Sequence, residues 1–568
     1  MKTYRIITTL LSAAVFVSCN YLDFDETNGL NTHDNIYKYF DNTKQMLTNV
    51  YSYIPQDFGA VEEAMRDCAS DDAEFGNTGG GVQDFNNGNW SALRTHDTAW
   101  SLYNGIRAAN EFIASIADVD FSRFEYGPSY PNWERQLRYF PYEARMLRAF
   151  YFFELARRYG DIAMPTRVLT IEEANTIGKM SFDEVIGFIV AECDACAADG
   201  NLPNTYVGEP GNETGRITRG FALALKSKAL LYAASELHNP SMDVERWKRS
   251  AKAALDLIET GLYSLDPADK SNNITSPEVV LLRMNSDDNT FELRNFPIRF
   301  TEGRRTTAAT GTFPTQELVD AYRKLDGSVA DDTDYEKRDK RFEATIAFNG
   351  CTVDIPDAKG LGLIGSEGKG KGSYTCYTRA EDEKKQNDNE RFDSYNGTQD
   401  RTATGYYTLK NYNADMVDSK GNTYKSLMEI RYADVLLMYA ESMNEQSKMT
   451  SDIWDKTIKP LRERAGFDAA YCSYPGSSDL RQIIRDERRV ELALEGRRAF
   501  DLRRWALLDN PSLKSTGATY LTTRATGAPF LDDGSNIQCQ NAYGMKYWFP
   551  IPQKERDINA NLPQNPGW

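Results

Sequence analysis

From residue 36 to about 265, apolar positions recur at three- and four-residue spacing, which predicts a series of paired helices. Ser181-Phe-Asp-Glu184 has the spacing of a capping box, where the hydroxyl accepts a backbone N–H and Glu184 reaches back. Phe182, Val185, Ile186, Ile189, Val190 and Cys193 then fall on one helical face. A looser stretch, 199–218, holds Pro203, Gly211 and Gly215. Residues 219–236 are rich in Ala and Leu around the whole circumference, as in a helix enclosed by others. The partner helix is expected over 244–260, with Trp247, Ala251, Ala254, Leu255 and Ile258 on one stripe and Gly261 as a stop. The turn His238-Asn-Pro-Ser-Met242 makes the two an antiparallel hairpin of tetratricopeptide size. Further hairpin material is expected at 101–116, 142–159, 426–444 and 480–507.

The pattern changes over 272–425. Gly and Lys cluster at 365–372, charge runs from 381 to 391, and alternating pieces such as Tyr406-Tyr-Thr-Leu-Lys410 suggest small strands or extended connections. Long irregular insertions on a helical frame commonly carry partner or ligand contacts. The expected fold is therefore mainly α, a tetratricopeptide-like helical-hairpin scaffold with a loop-rich, irregular elaborated lobe.

The first eighteen residues form a targeting pattern, with Lys2 and Arg5 ahead of an apolar run from Ile6 to Val17. That run is too short to span a bilayer, which takes roughly twenty residues. Cys19 follows Phe16-Val17-Ser18 at the position acylated in bacterial lipoproteins, and Asp23, Asp25 and Glu26 resemble the surface-export signal of Bacteroidetes lipoproteins. The expected division is a signal peptide over 1–18, an acylated tether over 19–35, a helical part over 36–271 and a C-terminal part over 272–568, the last two forming one unit. Loss of residues 1–18, with two positive charges, takes the net charge from −17 to −19. A chain so acidic repels nucleic acid and suits a neutral ligand. Of the eight cysteines, Cys193 and Cys196 form a CxxC inside a helical pattern and are assigned to packing. The histidines, His33, His96 and His238, are scattered, which weakens zinc or His-dependent catalysis.

Several segments in order resemble the SusD/RagB family: Cys19-Asn-Tyr-Leu-Asp23, Trp100-Ser-Leu-Tyr-Asn-Gly-Ile-Arg-Ala-Ala-Asn110, Arg148-Ala-Phe-Tyr-Phe-Phe-Glu-Leu-Ala-Arg-Arg-Tyr-Gly-Asp-Ile162 and Pro314-Thr-Gln-Glu-Leu-Val-Asp-Ala-Tyr322. Arg431-Tyr-Ala-Asp-Val-Leu-Leu-Met-Tyr-Ala-Glu441, the run from Glu487 to Trp505, Phe549-Pro-Ile-Pro552 and Gln564-Asn-Pro-Gly-Trp568 complete the series. The resemblance implies a surface lipoprotein of the outer membrane, facing the cell exterior. It would cap a SusC-like TonB-dependent transporter and pass it an oligosaccharide, with no cofactor, no nucleic-acid partner and no catalysis. The same fold binding peptides or glycopeptides, a glycoside hydrolase and a purely structural subunit are the competing readings.

Arg148, Glu154, Asp434 and Glu441 lie among apolar neighbours and are expected to form buried ion pairs. Arg497, Asp501 and Arg504, three and four apart, are expected to pair on the surface. Glu487, Glu491 and Glu495 have a spacing open to a pair of catalytic acids, but the surrounding arginines would hold them ionised. Walker, GxSxG and HExxH motifs are absent from the sequence.

Sugar binding needs flat apolar faces with hydrogen-bonding groups at the rim. Residues 66–100 offer Asp67, Asp71, Asp72, Phe75, Phe85, Asn86, Asn87, Asn89 and Trp90 around Gly79-Gly-Gly81. Trp90 is the leading candidate for a stacking ring, because it follows a Gly/Asn loop, whereas Trp100 is expected in the core. Family members also use mid-chain loops, which implies Arg304, Phe313, Tyr374, Tyr395 and Tyr406 here. Asp331-Asp-Thr-Asp334 and Ser70-Asp-Asp72 leave room for a structural calcium, and no metal is assigned.

Overall fold

The computed structural model describes residues 36–568 apart from 56–60, 63, 77–79, 88, 209–212, 268–273, 285–294, 297–310, 332–333, 356–371, 377, 379–401, 403, 413–425, 477–478 and 509–546. The expected lipidation residue Cys19, its tether, Arg304 and Tyr395 lie outside the described residues.

The chain is mainly helical. Six helices build the N-terminal frame: α1 (Phe40–Tyr51), α2 (Leu102–Ile116), α3 (Tyr130–Tyr159), α4 (Phe182–Ala197), α5 (Arg219–Ala234) and α6 (Val244–Glu259). Each from α2 onward packs on the next, and α6 packs in turn on α7 (Tyr432–Glu445), so the hairpins stack as the periodicity predicts. The Ser181–Glu184 capping box opens α4, with both reciprocal hydrogen bonds present. Helix α5 is buried on almost every side, so its alanines serve to bring α4, α6 and α7 close. Helix α3 begins twelve residues earlier than the sequence pattern suggests and runs through Pro141. Proline removes one interior hydrogen bond, and burial of most of the helix beyond it outweighs that loss.

The expected hairpin at 426–444 is a strand followed by a helix. Strand β8 (Ser426–Arg431) pairs antiparallel with β2 (Val279–Met284), and only then does α7 begin. Among the described residues the remaining strands form three small antiparallel pairs. They are β1 (Ala73–Phe75) with β3 (Thr312–Pro314), β4 (Ile346–Ala347) with β7 (Tyr407–Thr408), and β5 (Thr352–Ile355) with β6 (Gly372–Thr375). Phe313, Ala347, Val353, Ile355, Cys376 and Tyr407 form a small core of their own in this lobe.

The expected helical stretch 480–507 is broken into α9 (Leu480–Glu491) and α10 (Arg498–Arg504) by a turn in which Leu494 and Gly496 both have positive φ. The break lets α10 approach the segment at Asp67. Asp501 and Arg504 are therefore not a surface pair as the spacing suggested. Asp501 accepts from both Arg488 (2.8 Å) and Arg504 (2.7 Å), and all three are buried, while Arg497 donates to the carbonyls of Met428 and Glu429.

The hallmark charges pair inside the protein. Arg148 meets Glu192 (3.1 Å), Glu154 meets Arg157 and Arg158, Asp434 meets Arg488 (2.6 Å), and Glu441 holds Arg504 in a two-point contact of 2.5 and 2.7 Å. Cys193 and Cys196 are buried in α4, and burial pushes the Cys196 thiol up to about 12. That fits packing.

Candidate functional site

The segment 66–97 leaves the helical frame, runs through β1 and a short helix (Gln83–Asn87), and returns ahead of α2. Buried charges tie down its root. Asp67 accepts the Gly496 N–H at 2.8 Å, Asp71 takes Arg498 in a two-point contact of 2.7 and 2.8 Å, and Asp72 takes Arg489 at 2.6 Å. At the other end Asp97 is gripped by Arg66 (2.7 Å) and Arg158 (2.9 Å). Burial raises the Asp71 pKa, but Arg489 and Arg498 outweigh it and hold the carboxyl well below the usual range.

These contacts correct the sequence reading. Asp67, Asp71 and Asp72 are buried anchors of the loop rather than exposed ligand contacts, because each is almost fully buried and held by an arginine or a backbone amide from α9, α10 or the turn between them. The same pairing leaves Ser70–Asp72 unsuited to calcium. Asp334 of the other acidic stretch pairs with Lys324, and among the described residues no group of three or more His, Cys, Asp or Glu side chains is set to hold a metal.

The far end of the segment is held by rings. Trp90 is 1% exposed and lies 4.5 Å from Phe85, 4.8 Å from Phe549 and 4.8 Å from the terminal Trp568, centroid to centroid. Its best use is therefore structural, since protein rings cover it and no face is left for a sugar. Phe85 is buried in the same cluster. Phe313 sits in β3 opposite Glu74, buried against Tyr407, and Tyr406 is buried with its hydroxyl donating to Gln316 Oε1 at 2.8 Å. The anchoring types looked like ligand types because aromatics and acids serve both purposes.

Other residues point outward. Asn89 and Arg94 are exposed, Leu93 is 85% exposed, and Glu62 is 55% exposed in its side chain. His96 bridges Glu62 (3.0 Å) and Asp84 (2.7 Å), Arg94 also reaches Asp84, and the Gly81 N–H donates to Glu62 at 2.9 Å. Of these only Asn89 was selected from the sequence. Glu62, Leu93 and Arg94 stand within or beside the same segment, but no motif separates them from ordinary surface residues. These exposed side chains offer a carboxylate, a guanidinium, an amide and one apolar group, types that suit hydroxyl-rich, uncharged molecules. Trp100, expected in the core, is half-buried and lines a cavity of about 310 Å³ with Tyr103, Arg107, Asn110, Arg167 and Glu555.

One acid behind this face is unusual. Glu74 is 3% exposed and accepts from Gln83 at 2.5 Å, its other oxygen has no hydrogen-bond partner among the described residues, and burial pushes its pKa up to about 7. Such a value would suit a general acid, but the carboxyl lies inside the protein, across the β1–β3 pair from Phe313. Because the folded-state value is raised, the stability Glu74 contributes is fully present below its ordinary pKa and is lost as pH rises through about 7. Glu74→Gln is thus expected to raise the free energy of unfolding by about 3 kcal/mol at pH 8 and under about 1 kcal/mol at pH 5, read from urea titrations.

The described residues thus form a helical-hairpin frame carrying a clamped loop and a small strand-bearing lobe. A profile of the SusD family matches residues 277–568, and the chain belongs to that family. SusD-like protein P25 of Formosa agariphila is 25% identical over 375 residues, 64% of this chain and 63% of that protein. SusD-like protein P2 of the same organism is 33% identical over 146 residues, 24% of this chain and 25% of that protein. The chain thus spans less than two thirds of the length of these curated relatives. Among solved structures, a SusD-like carbohydrate-binding protein from Bacteroides fragilis superposes with a TM-score of 0.71 at 24% identity, covering 93% of this chain and 100% of that one. A laminarin-binding SusD-like protein gives 0.61 at 22% identity, covering 93% and 99%.

Proposed function

We propose that this chain is a lipid-anchored glycan-binding protein of the outer cell surface that captures an oligosaccharide and delivers it to a SusC-like TonB-dependent transporter. The observation that carries the proposal is the end-to-end correspondence of its fold with SusD-like proteins, including one described as carbohydrate-binding and one as laminarin-binding. The exposed side chains of Glu62, Asn89, Leu93 and Arg94 supply matching chemistry, with polar groups for hydroxyls and one apolar contact. Anchoring through Cys19, exterior exposure and the transporter partner come from the N-terminal pattern and the family.

The state of the acids spaced like a catalytic pair supports binding without turnover. Burial opposes ionisation of Glu487, Glu491 and Glu495, but Arg341, Arg431, Arg462 and Arg464 outweigh it and hold all three below the usual carboxylate range. None of them has a proton to give at neutral pH.

The test is titration calorimetry of residues 20–568 against laminarin oligosaccharides, other neutral oligosaccharides and peptides, with chromatography for products. Heat with a neutral oligosaccharide and no cleavage is expected. Leu93→Ala with Arg94→Ala should then weaken binding about tenfold, the scale of one lost side-chain contact. Binding to peptides alone would move the ligand to the peptide class, products would make the protein a hydrolase, and an unchanged affinity in the double variant would move the site to the cavity at Trp100.

A further inference from the structure

Two cysteines of the lobe face each other across a strand pair. Strands β5 and β6 run in the register Thr352↔Thr375, so the next positions outward are Cys351 and Cys376. There the Gly350 N–H donates to the Cys376 carbonyl at 2.8 Å, while the Cys376 N–H donates to the Cys351 carbonyl at 2.8 Å. Gly350 has φ +88°. This is the bonding of a G1 bulge, in which a left-handed glycine and the residue after it together oppose one residue of the partner strand. The bulge turns Cys351 towards Cys376, and a hydrogen bond joins the two thiols. Cys376 is fully buried with Val353, Ile355 and Phe313, and Cys351 packs on that cluster from its half-buried rim.

We propose that Cys351 and Cys376 are joined by a disulfide in the exported protein, a clasp across the β5–β6 hairpin. The proposal rests on the export reading, since disulfides persist in oxidising compartments. The hydrogen bond with Cys376, and a second from the Phe348 N–H at 3.3 Å, hold the Cys351 thiol below its ordinary pKa against the effect of burial. Cys351 is the attacking group, because it lies at the half-buried rim within an oxidant's reach whereas Cys376 is fully buried. Its thiolate attacks one sulfur of an external disulfide oxidant, such as glutathione disulfide, forming a mixed disulfide and releasing one thiolate. The Cys376 thiolate then displaces the second. Two protons leave the protein thiols, and two electrons pass to the oxidant, which ends as two thiols. The clasp closes a covalent loop over residues 352–375 and fixes the small core that holds Phe313, the cross-strand neighbour of Glu74 at the root of the candidate binding face.

The other described cysteines do not compete. Cys193 and Cys196 lie within one helix with both thiols raised by burial, and Cys68 and Cys472 are buried elsewhere. The experiment is alkylation of the unfolded full chain with and without reductant, followed by peptide mapping. Two samples are compared, protein recovered from the cell surface and reduced protein treated with glutathione disulfide. The expected result in both is a Cys351–Cys376 linked peptide, lighter by two hydrogens than the reduced pair, absent from Cys351→Ser, with slower proteolysis of the lobe when linked. Failure to link under glutathione disulfide, or pairing of Cys376 with Cys539, would overturn the geometric argument. Linkage in vitro with both thiols free in surface-derived protein would overturn the proposal through the export reading instead.

Discussion

Arg431→Met is expected to lower the free energy of unfolding by about 3–5 kcal/mol, the range for an uncompensated buried charge. Arg431 ends β8 and is 2% exposed. Its guanidinium reaches Glu491 at 2.7 Å, Glu495 at 3.0 Å through two nitrogens, and Glu278 at 3.2 Å. Glu491 is also held by Arg341 (2.8 Å) and Arg464, and Glu487 by Arg462 (2.8 Å) and Arg341 (2.8 Å). The network ties β2 and β8 to α9 and to a helix, α8 (Ile458–Ala465), that brings Arg462 and Arg464. Removing Arg431 leaves Glu491 to Arg341 and Arg464, Glu495 to Lys410 and Glu278 to Arg464, so the buried acids lose one of the cations that offset them. Arg431→Lys should rescue little, since an ammonium cannot make the forked contacts. Urea midpoints at pH 7 are the measurement. A loss under about 1 kcal/mol would mean the pairs behave like surface salt bridges. The acids' lowered pKa values also set a sign: their stabilisation is present above the ordinary carboxylate pKa and is lost as pH falls below it.

The second large effect concerns the residue that looked most like a sugar platform. Trp90→Ala is expected to cost about 3–5 kcal/mol of stability, the range for emptying a buried aromatic site. It removes the ring on which Phe85, Phe549 and Trp568 converge, and so loosens the loop from the C-terminal segment, to which the Ala92 carbonyl stays bonded through the Gln553 N–H. Trp90→Phe should recover much of the loss, and Leu93→Ala, on the exposed side, should change stability by under about 0.5 kcal/mol. Thermal unfolding separates the cases. If Trp90→Ala left stability unchanged while weakening glycan binding, the ring would be a ligand contact after all.

Much of the frame was legible because helical burial writes itself into local spacing. The Ser181 capping box, the apolar circumference of α5 and the stripe of α6 each state their environment within one or two turns. The unpaired charges inside otherwise apolar stretches announced ion pairs for the same reason, though not their partners: Glu441 meets Arg504 across 63 residues, and Arg489 meets Asp72 across 417. Strand β8 was misread because its partner β2 lies far back in the sequence, and Ser426–Arg431 carries no local mark of that pairing.

The candidate binding face shows the limit most clearly. The sequence singles out residues 66–100 as a candidate ligand region, since composition alone distinguishes their Gly/Asn-rich stretch from a helical frame. Which of its side chains face outward was decided by tertiary contacts. Arginines from α9 and α10 claim Asp71 and Asp72, and the C-terminal rings claim Trp90. By itself the sequence determined the helical frame, the family and the region of the loop, because each is encoded in spacing or ordered motifs. Only the tertiary structure separated anchor from surface, because a buried Asp–Arg pair and a rim carboxylate share the same residue type and differ solely in what distant segments bring to them.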